Sequence, residues 1–312
     1  MSTINGQPSV IDRCGELRAH QSSLDSLWQQ SRILHFSHGF ISANSDSTEL
    51  RYLTSREIDD QISSGKFSVG EKYFLGKDLK SGQSYFAWNS PHRDSDEKLP
   101  GFATLRELGP SLGALDLEIA LHSVALANWH ISHPHCAKCG AKTTVDLGGA
   151  VRTCEKDSSQ HHPRTDSAVI VLVRDKEDRI LLGHQPVWPE GRFSCFAGFL
   201  EPGETFEQCV AREVYEESGV ALSKISYLGS QPWPFPASIM IAFDAEVIDS
   251  KAARPDGNEI TEVKWFSRED IKAQASDGTL LLPPSFSVAF KMIETWYSKE
   301  ESAPLPGGQK WR

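Results

Sequence analysis

The chain has 312 residues, which corresponds to about two domains at the usual ~100 to 200 residues per domain. Its 42 acidic and 32 basic side chains give a formal net charge of -10, and such a charge disfavours general binding to nucleic acid or to an anionic membrane. Hydrophobic residues make up 39% of the chain and charged residues 24%, proportions typical of globular domains and not of disordered chains.

Neither the apolar runs nor the termini carry a membrane or targeting signal. The longest aliphatic run, Ala168 to Val173, is far shorter than the ~20 residues that cross a bilayer. Residues 1–6 lack the basic and then apolar order of a secretory signal, and residues 309–312 match no common sorting tail. We therefore expect a cytoplasmic protein that does not contact membranes.

Residues 1–110 contain short strand candidates and no catalytic motif. The candidates are Arg32 to Phe36, Tyr52 to Thr54, Lys72 to Leu75 and Tyr85 to Trp88. Apolar residues at helical spacing then predict a helix from Asp116 to Trp129, with Asp116 as its N-cap. This helix is expected to close an N-terminal α/β domain.

The segment from His133 to Pro163 is compact, rich in turns and of the size of a zinc ribbon. Beyond it, the pattern predicts strands at Ala168 to Arg174, Ile180 to Gly183, Ile225 to Leu228, Ile239 to Val247 and Glu262 to Phe266, and helices at Thr205 to Ser218 and Phe286 to Tyr297. Helices interleaved with mostly sheet indicate an α/β/α sandwich, so the fold class is α/β.

Three glutamates of the segment GFLEPGETFEQCVAREVYEESGV, residues 198–220, fall on one helix face. Glu213, Glu216 and Glu217 stand at positions i, i+3 and i+4, where like charges repel unless a cation binds between them. Carboxylate ligands suit Mg²⁺ or Mn²⁺, which bridge to substrate phosphates, and so indicate a diphosphate substrate. The adjoining apolar stripe that should pack on the sheet is Phe206, Val210 and Val214.

Segment 198–220 resembles the Nudix box at every specified position. The resemblance implies that the three glutamates are the catalytic metal ligands, with Glu217 nearest the nucleophile and the general base left open. It also implies that the backbone carbonyl of Ala197 is a ligand and that Glu259 completes the set, with Glu262 as the fallback. The remaining box positions have structural roles: Glu204 and Arg212 as a salt bridge, and Gly198 and Gly203 as residues with a glycine backbone conformation.

A second motif follows the box. Residues 230–238, SQPWPFPAS, resemble the SQPWPFPxS signature of the NADH pyrophosphatases, which are zinc-ribbon Nudix hydrolases. Alternating prolines stiffen this segment, so its aromatic side chains can form a ring-binding wall at little ordering cost. The resemblance implies that substrate is bound by Phe199, Gln231, Pro232, Trp233, Pro234, Phe235, Pro236, Ala237, Ser238, Glu259, Ala289 and His162. His162 departs from the family, which usually has an aromatic residue there, most often tyrosine.

The ribbon has three of the four expected zinc ligands. Cys136 and Cys139 form a C-x₂-C-G knuckle, and Cys154 follows at ribbon spacing. The family's fourth cysteine most often falls at Asp157, and Asp157 and His161 are the candidates for the fourth ligand. A metal-free ribbon is the alternative. The histidines before the knuckle, His130, His133 and His135, are interpreted as surface or capping residues, with zinc ligation as the other possibility.

Together these motifs predict an N-terminal domain at 1–130, a zinc ribbon at 131–165 and a catalytic Nudix domain at 166–312. The resemblance implies hydrolysis of NADH or NAD⁺ to nicotinamide mononucleotide, in its reduced or oxidised form, and AMP with Mg²⁺ or Mn²⁺. It also implies a structural zinc ion, a homodimer and action on NAD-capped RNA. The alternatives are a Nudix hydrolase for another nucleoside diphosphate derivative and a non-catalytic nucleotide sensor or nucleic-acid-binding ribbon protein.

Overall fold

A computed structural model describes residues 8–93, 97–300 and 304–307. Both termini used for the localisation prediction, residues 1–6 and 309–312, lie outside the described residues. The chain divides into two compact units. The first comprises Pro8–Thr165 and Pro234–Ala237, and the second comprises Asp166–Trp233 and the described residues from Ser238 onward.

The first unit contains a seven-stranded sheet with strand order β1-β5-β6-β2-β3-β7, in which β4 also pairs with β2. Its strands are β1 Ile11–Asp12, β2 Arg32–Ser37, β3 Phe40–Ser42, β4 Tyr52–Leu53, β5 Glu71–Asp78, β6 Ser84–Asn89 and β7 Phe102–Ala103. Its helices are α1 Gln21–Trp28, α2 Ser55–Ser63, α3 Leu105–Leu108 and α4 Ala114–Ser132, with short 3₁₀ turns at Gly15–Ala19, Gly109–Ser111 and Leu147–Gly149. The four predicted strands are confirmed as β2, β4, β5 and β6.

Helix α4 begins earlier than predicted. Its N-cap is Gly113, so the prediction that Asp116 caps the helix is wrong. Asp116 lies in the first turn, where its carboxylate accepts a hydrogen bond of 2.6 Å from the Tyr52 hydroxyl. The Asp116 carboxylate, which the sequence pattern assigned to capping the helix, therefore binds Tyr52 from a distant part of the chain instead.

The ribbon forms a three-stranded sheet with the order β10-β9-β8. Its strands are β8 Thr143–Asp146, β9 Val151–Cys154 and β10 Gln160–His161. Arg152 of β9 is buried, and its guanidinium binds Thr143, Glu71 and the Nδ1 atom of His130. This network ties the ribbon to strand β5 and helix α4 within the first unit.

The second unit contains a six-stranded sheet with strand order β14-β15-β11-β12-β16, in which β13 also pairs with β11. Its strands are β11 Asp166–Arg174, β12 Ile180–His184, β13 Phe196–Phe199, β14 Leu222–Trp233, β15 Ser238–Val247 and β16 Glu262–Phe266. Its helices are α5 Phe206–Ser218, α6 Arg268–Asp277 and α7 Val288–Tyr297, with a 3₁₀ turn at Ser250–Ala252. The central pair, β11 and β15, is parallel, and the predicted α/β class is confirmed.

Two buried apolar clusters flank this sheet, one with helix α5 and one with helix α7. Helix α5 buries Cys209, Val210 and Val214 completely. The prediction that Phe206 belongs to this apolar stripe is wrong, since its side chain is 37% exposed. Phe206 is the first residue of the helix, before the turns that the sheet covers. In the described part of the chain, no helix is long and apolar enough to cross a membrane.

Candidate active site

The glutamate-bearing helix α5 has well-defined ends. Thr205 and Gln208 form a capping box, in which the Thr205 hydroxyl accepts from Gln208 N and the Gln208 carboxamide accepts from Thr205 N. Gly219 ends the helix in the left-handed conformation, at a φ of 68°. Because both ends are fixed, the rotation of the helix about its axis and the direction of its glutamates are fixed too.

The three box glutamates differ in burial. The Glu217 residue is only 3% exposed, Glu213 is partly buried, and the Glu216 side chain is 57% exposed. A Cβ atom at Gly198 would overlap the Glu213 carboxylate. The prediction that Gly198 needs a glycine backbone conformation is therefore wrong, because the requirement is the close approach of Glu213. The same prediction for Gly203 is confirmed by its φ of 96°.

Arg212 connects the loop of the box to the helix. Its guanidinium binds the Glu204 carboxylate through Nε at 2.6 Å and through Nη2 at 2.9 Å, which is the predicted salt bridge. Nη1 donates to Glu213 at 2.8 Å and to Glu216 at 3.0 Å, and Nη2 also donates to the Phe199 carbonyl. The Arg212 hydrogen bonds lower the pKa of Glu204 to about 2, so this carboxylate stays charged.

Glu217 has a different environment. Its carboxylate accepts a 3.3 Å hydrogen bond from Ala197 N, and it forms no ion pair among the described residues. Burial, together with the negative charges of Glu259 and Glu213, raises the pKa of Glu217 to about 8. Burial also raises the pKa of Glu213. A divalent cation would offset this repulsion, and the cluster of carboxylate oxygens fits Mg²⁺ or Mn²⁺.

The two acidic candidates after the box lie in different surroundings. Glu259 lies in a loop in which Asp256 accepts from the backbone N–H groups of Glu259 and Ile260, and its charge acts on Glu213 and Glu217. Glu262, the fallback, begins β16 and its side chain pairs with Lys264 at 3.3 Å. The electrostatic proximity to the box glutamates favours Glu259 as the additional acidic ligand.

A cavity of about 250 Å³ opens beside the buried glutamate, and all of its lining residues belong to the second unit. Five residues from the sequence predictions line it: Ala197, Glu217, Gln231, Trp233 and Ala289. Sequence analysis missed a further group from the segment before the box and the turn before α7: Gln185, Trp188, Arg192, Pro283 and Pro284. The available signals were the Pro- and Gly-containing segment that directly precedes the box and, for Pro283 and Pro284, the resemblance of the turn before Ala289 to the proline-rich turn of the family.

Trp233 and Gln231 form one wall of this cavity. The Trp233 ring stacks on Phe286, with centroids 5.3 Å apart and an interplanar angle of 19°. Gln231 Nε2 donates to the Phe286 carbonyl at 2.8 Å, while Gln231 Oε1 accepts from Val288 N at 2.7 Å. Strand β14 therefore holds the turn before α7, and with it Ala289, against the cavity.

The remaining part of the SQPWPFPAS segment lies elsewhere. Pro234–Ala237 belong to the first unit, where Asn128 donates to the carbonyls of Pro234 and Pro236. The guanidinium of Arg106 lies 4.5 Å from the centroid of the Phe235 ring. Pro232 stays in β14 and Ser238 begins β15. Trp233 and Phe235 therefore pack within different units, and a substrate-binding role for Pro234, Phe235, Pro236 and Ala237 stays a prediction.

Two further predicted substrate residues present accessible rings. Phe199 ends strand β13 and is 59% exposed, so it is not a core residue. His162 follows β10 and is exposed. A stacking role for either ring stays a prediction.

The ribbon brings the three predicted cysteines together with one carboxylate. The ligand atoms of Cys136, Cys139, Cys154 and Asp157 all lie within 4.8 Å of one another. His161 Nε2 lies 3.3 Å from the Cys136 sulfur. The prediction that His130 is a surface or capping residue is wrong, because its buried side chain stacks on Tyr73 and uses both ring nitrogens in hydrogen bonds, to the Gly149 carbonyl and to Arg152. His133 Nδ1 interacts with Ser132 and with the Trp129 carbonyl at the end of α4, and His135 is exposed.

Comparison with known proteins agrees with the geometry of the box. The NUDIX domain model matches residues 164–282. The NAD-capped RNA hydrolases NudC of Mycobacterium bovis and Mycobacterium tuberculosis are each 39% identical over 241 residues, covering 74% of this chain and 76% of theirs. The NAD-capped RNA hydrolase NUDT12 of Homo sapiens is 37% identical over 180 residues, covering 54% of this chain and 39% of its own.

Among solved structures, a NUDIX hydrolase from Nitrosomonas europaea matches with a TM-score of 0.43 and 22% identity, covering 56% of this chain and 96% of that chain. The family assignment depends on the sequence relatives, which match across most of both chains. With 39% identity to NudC and a NUDIX domain that spans the box, the chain belongs to the Nudix hydrolases and, within them, to the NudC group.

Proposed function

We propose that this protein is a metal-dependent pyrophosphohydrolase that cleaves the diphosphate bond of NADH or NAD⁺. Its products are AMP and nicotinamide mononucleotide, in the reduced form when NADH is the substrate. One observation carries the proposal: Glu217 is buried next to Glu213 and Glu259 and lines an aromatic cavity. The NudC relatives are named NAD-capped RNA hydrolases, which supports cleavage of the diphosphate bond of an NAD group. NAD-capped RNA is proposed as a second substrate.

One group of residues is proposed to act on the reacting diphosphate, and another is proposed to bind the rest of the substrate. A divalent cation, when bound, would neutralise the phosphates and lower the pKa of the attacking water. Glu213, Glu216, Glu217 and Glu259, with the carbonyl of Ala197, would hold that cation. Arg212 keeps Glu213 and Glu216 pointed along one helix face, and the neighbouring β13 backbone fixes Glu217 through Ala197 N.

The cavity supplies the recognition of a flat ring. Trp233 and Trp188 provide aromatic surface, and Ala289 keeps one side of the cavity small. A ring bound there would leave the adjoining diphosphate near Glu217, since both the ring-binding surface and this carboxylate line the same cavity. Exposed Phe199 is proposed to add a stacking surface, as the family resemblance implies.

The other assignments remain part of the proposal. We retain a homodimer, a cytoplasmic location, a structural zinc ion in the ribbon and the division of the chain at 1–130, 131–165 and 166–312. His162 is proposed to contact substrate. The net charge of -10 disfavours long contacts with RNA, so recognition of a capped RNA would depend on the cap itself.

The test is a substrate panel. The purified chain is incubated with NADH, NAD⁺, ADP-ribose, diadenosine polyphosphates and an NAD-capped RNA, with Mg²⁺ or Mn²⁺, and the products are separated chromatographically. We expect AMP and nicotinamide mononucleotide from NADH or NAD⁺, and a 5′-monophosphate end on the RNA. Preference for another diphosphate would retain the chemistry and refute the specificity, and no turnover would favour a nucleotide sensor.

A site variant and a matched control variant test whether activity depends on the metal-binding glutamate itself. Glu217→Gln is expected to lower kcat by at least ~100-fold, because an amide cannot replace a charged ligand of a divalent cation. Glu207→Gln is the control, since Glu207 is an exposed acidic residue in the first turn of the same helix and has no assigned role in the site. Equal activity of the two variants would contradict the assignment of Glu217.

A further inference from the structure

The loop that carries Glu259 is held at both ends by backbone hydrogen bonds. At its start, Arg254 N donates at 2.9 Å to the carbonyl of Ser218, the last residue of helix α5. At its end, Thr261 N donates at 2.9 Å to the carbonyl of His184, the last residue of strand β12. The loop therefore connects the glutamate-bearing helix to the sheet, and Glu259 lies on its exposed part.

Within this loop, one carboxylate binds three successive backbone N–H groups. Asp256 Oδ1 accepts from Ile260 N at 2.7 Å. Asp256 Oδ2 accepts from Glu259 N at 3.1 Å and from Asn258 N at 3.3 Å. Gly257 N also donates to the Ile260 carbonyl at 3.0 Å, which closes the turn. Because an exposed loop loses conformational freedom only when its backbone groups find partners, the Asp256 side chain fixes the backbone from which Glu259 projects.

Ile260 links this turn to the cavity. Its side chain is buried and lines the cavity that also contains Glu217. A Cβ atom at Gly183 would lie 3.2 Å from two side-chain atoms of Ile260, so this residue packs closely against strand β12. The shortest of the three Asp256 hydrogen bonds therefore joins the exposed turn to a residue that is fixed in the core.

We propose that Asp256 is a positioning residue for the cation site: it binds the backbone on both sides of Glu259 and so holds the Glu259 carboxylate toward Glu213 and Glu217. This inference rests on the proposed function, in which Glu259 is an acidic ligand of the divalent cation. Both Asp256 oxygens accept from the backbone of the turn, so Asp256 acts through Glu259 and is not itself a ligand.

A turn that is ordered before the cation arrives lowers the cost of binding. Without the Asp256 carboxylate, the loop would have to be ordered each time a cation binds, and the affinity for the cation should fall. The anchors at Arg254 and Thr261 do not involve Asp256, and Asp256 is exposed. Its substitution should therefore leave the fold intact.

The first measurement is Mn²⁺ binding to the full chain without substrate, by electron paramagnetic resonance of the free ion. Asp256→Ala should weaken binding by at least ~10-fold. Asp256→Asn keeps one of the two acceptor oxygens and should weaken it by only about 3-fold. Equal weakening in both variants would show that the lost charge, and not the lost order, is responsible, and would overturn the proposal.

Asp78→Ala is the matched control. Asp78 is an exposed aspartate at the end of β5, in the first unit, and its carboxylate accepts from the backbone N–H groups of Lys80 and Ser81. The substitution removes the same kind of turn contact from a residue that has no assigned role in the site. It should leave Mn²⁺ affinity at the wild-type value.

A double-mutant cycle tests whether Asp256 acts through Glu259. Glu259→Gln alone should weaken Mn²⁺ binding, and adding Asp256→Ala to it should cause no further loss, because the ligand that the turn positions is already gone. Losses that add would overturn the proposal. A Glu259→Gln variant or an Asp256→Ala variant with wild-type Mn²⁺ affinity would also overturn it.

Hydrogen exchange of the metal-free chain gives a readout that is independent of catalysis. The amides of residues 258–260 should exchange at least ~10-fold faster in Asp256→Ala than in the wild type, and at the wild-type rate in Asp78→Ala. Unchanged exchange in Asp256→Ala would overturn the proposal. Turnover in the substrate panel tests the proposed function separately: a chain that hydrolyses no dinucleotide would refute that function, while Mn²⁺ binding and exchange would still decide the role of Asp256.

Discussion

The carboxamide oxygen of Gln231 accepts a 2.7 Å hydrogen bond from the backbone N–H of Val288, the first residue of helix α7. Its amide nitrogen donates to the carbonyl of Phe286, so both ends of the carboxamide bind the segment that precedes and begins this helix. Gln231 therefore acts as a positioning residue for the cavity wall that carries Ala289.

We expect Gln231→Ala to raise the KM for the dinucleotide several-fold, since the wall loses its two anchors while the box glutamates keep theirs. The same variant should lose about 1 to 2 kcal/mol in the free energy of unfolding, because two partly buried backbone groups lose their partners. Steady-state kinetics and denaturant unfolding give both values. A raised KM with unchanged stability would instead indicate direct contact between Gln231 and the substrate.

The close approach of Glu213 to Gly198 gives a second prediction. Gly198→Ala places a methyl group in the space of the Glu213 carboxylate and should displace this ligand, lowering kcat at least ~10-fold and raising the metal concentration needed for half-maximal activity. Metal titration of the activity is the measurement.

Gly203→Ala provides the control within the same loop. A Cβ atom at Gly203 meets no other group, but its φ of 96° is unfavourable for alanine. We expect a loss of about 1 kcal/mol in stability with the metal dependence unchanged. If Gly203→Ala changed the metal dependence as much as Gly198→Ala, the contact with Glu213 would not explain the first result.

The local part of the site follows from the sequence, and the rest depends on contacts between distant segments. The i, i+3, i+4 spacing and the Thr205 cap define helix α5 and the face that Glu213, Glu216 and Glu217 share. The same periodicity cannot reveal that Gly198 lies against Glu213, because that contact joins a strand to a helix across the box loop. The sequence also cannot distinguish a glycine that is required for its backbone conformation from one that is required for steric reasons, because both requirements select glycine.

The cavity shows more clearly which parts of the site cannot be predicted from the sequence. Its lining combines the segment before the box, the end of β14 and the turn before α7, which no local pattern connects. Trp233 and Phe235 are two residues apart and alike in character, yet they pack in different units. Helices α1, α2 and α6 were also missed, because they are short and mostly polar. Their stability depends on tertiary packing and, in α2 and α6, on capping boxes.

The stacked pair of Trp233 and Phe286 predicts which substitutions affect substrate selection. Trp233→Ala removes an aromatic surface of the cavity, and stacking of a base on an aromatic side chain is worth about 1 to 3 kcal/mol. We expect the KM for NADH to rise by roughly 10-fold, and the preference for NADH over diadenosine polyphosphates to fall.

Tyr227→Ala is the matched control, because Tyr227 lies on the same strand and is largely exposed. It should leave the KM for each dinucleotide close to the wild-type value. An unchanged substrate ranking in Trp233→Ala would remove Trp233 from the recognition surface.

The buried guanidinium of Arg152 gives the last prediction, on the stability of the ribbon. Arg152 donates to the Thr143 hydroxyl and carbonyl, to Glu71 and to His130 Nδ1, whose Nε2–H then donates to the Gly149 carbonyl. Arg152→Ala leaves these acceptors without their donor in a buried site, which should cost about 3 kcal/mol in the free energy of unfolding. Lys98→Ala is the control, because its ion pair with Glu107 is exposed and should contribute less than about 1 kcal/mol. Denaturant unfolding of both variants tests this, and equal losses would show that the Arg152 network does not hold the ribbon to β5 and α4.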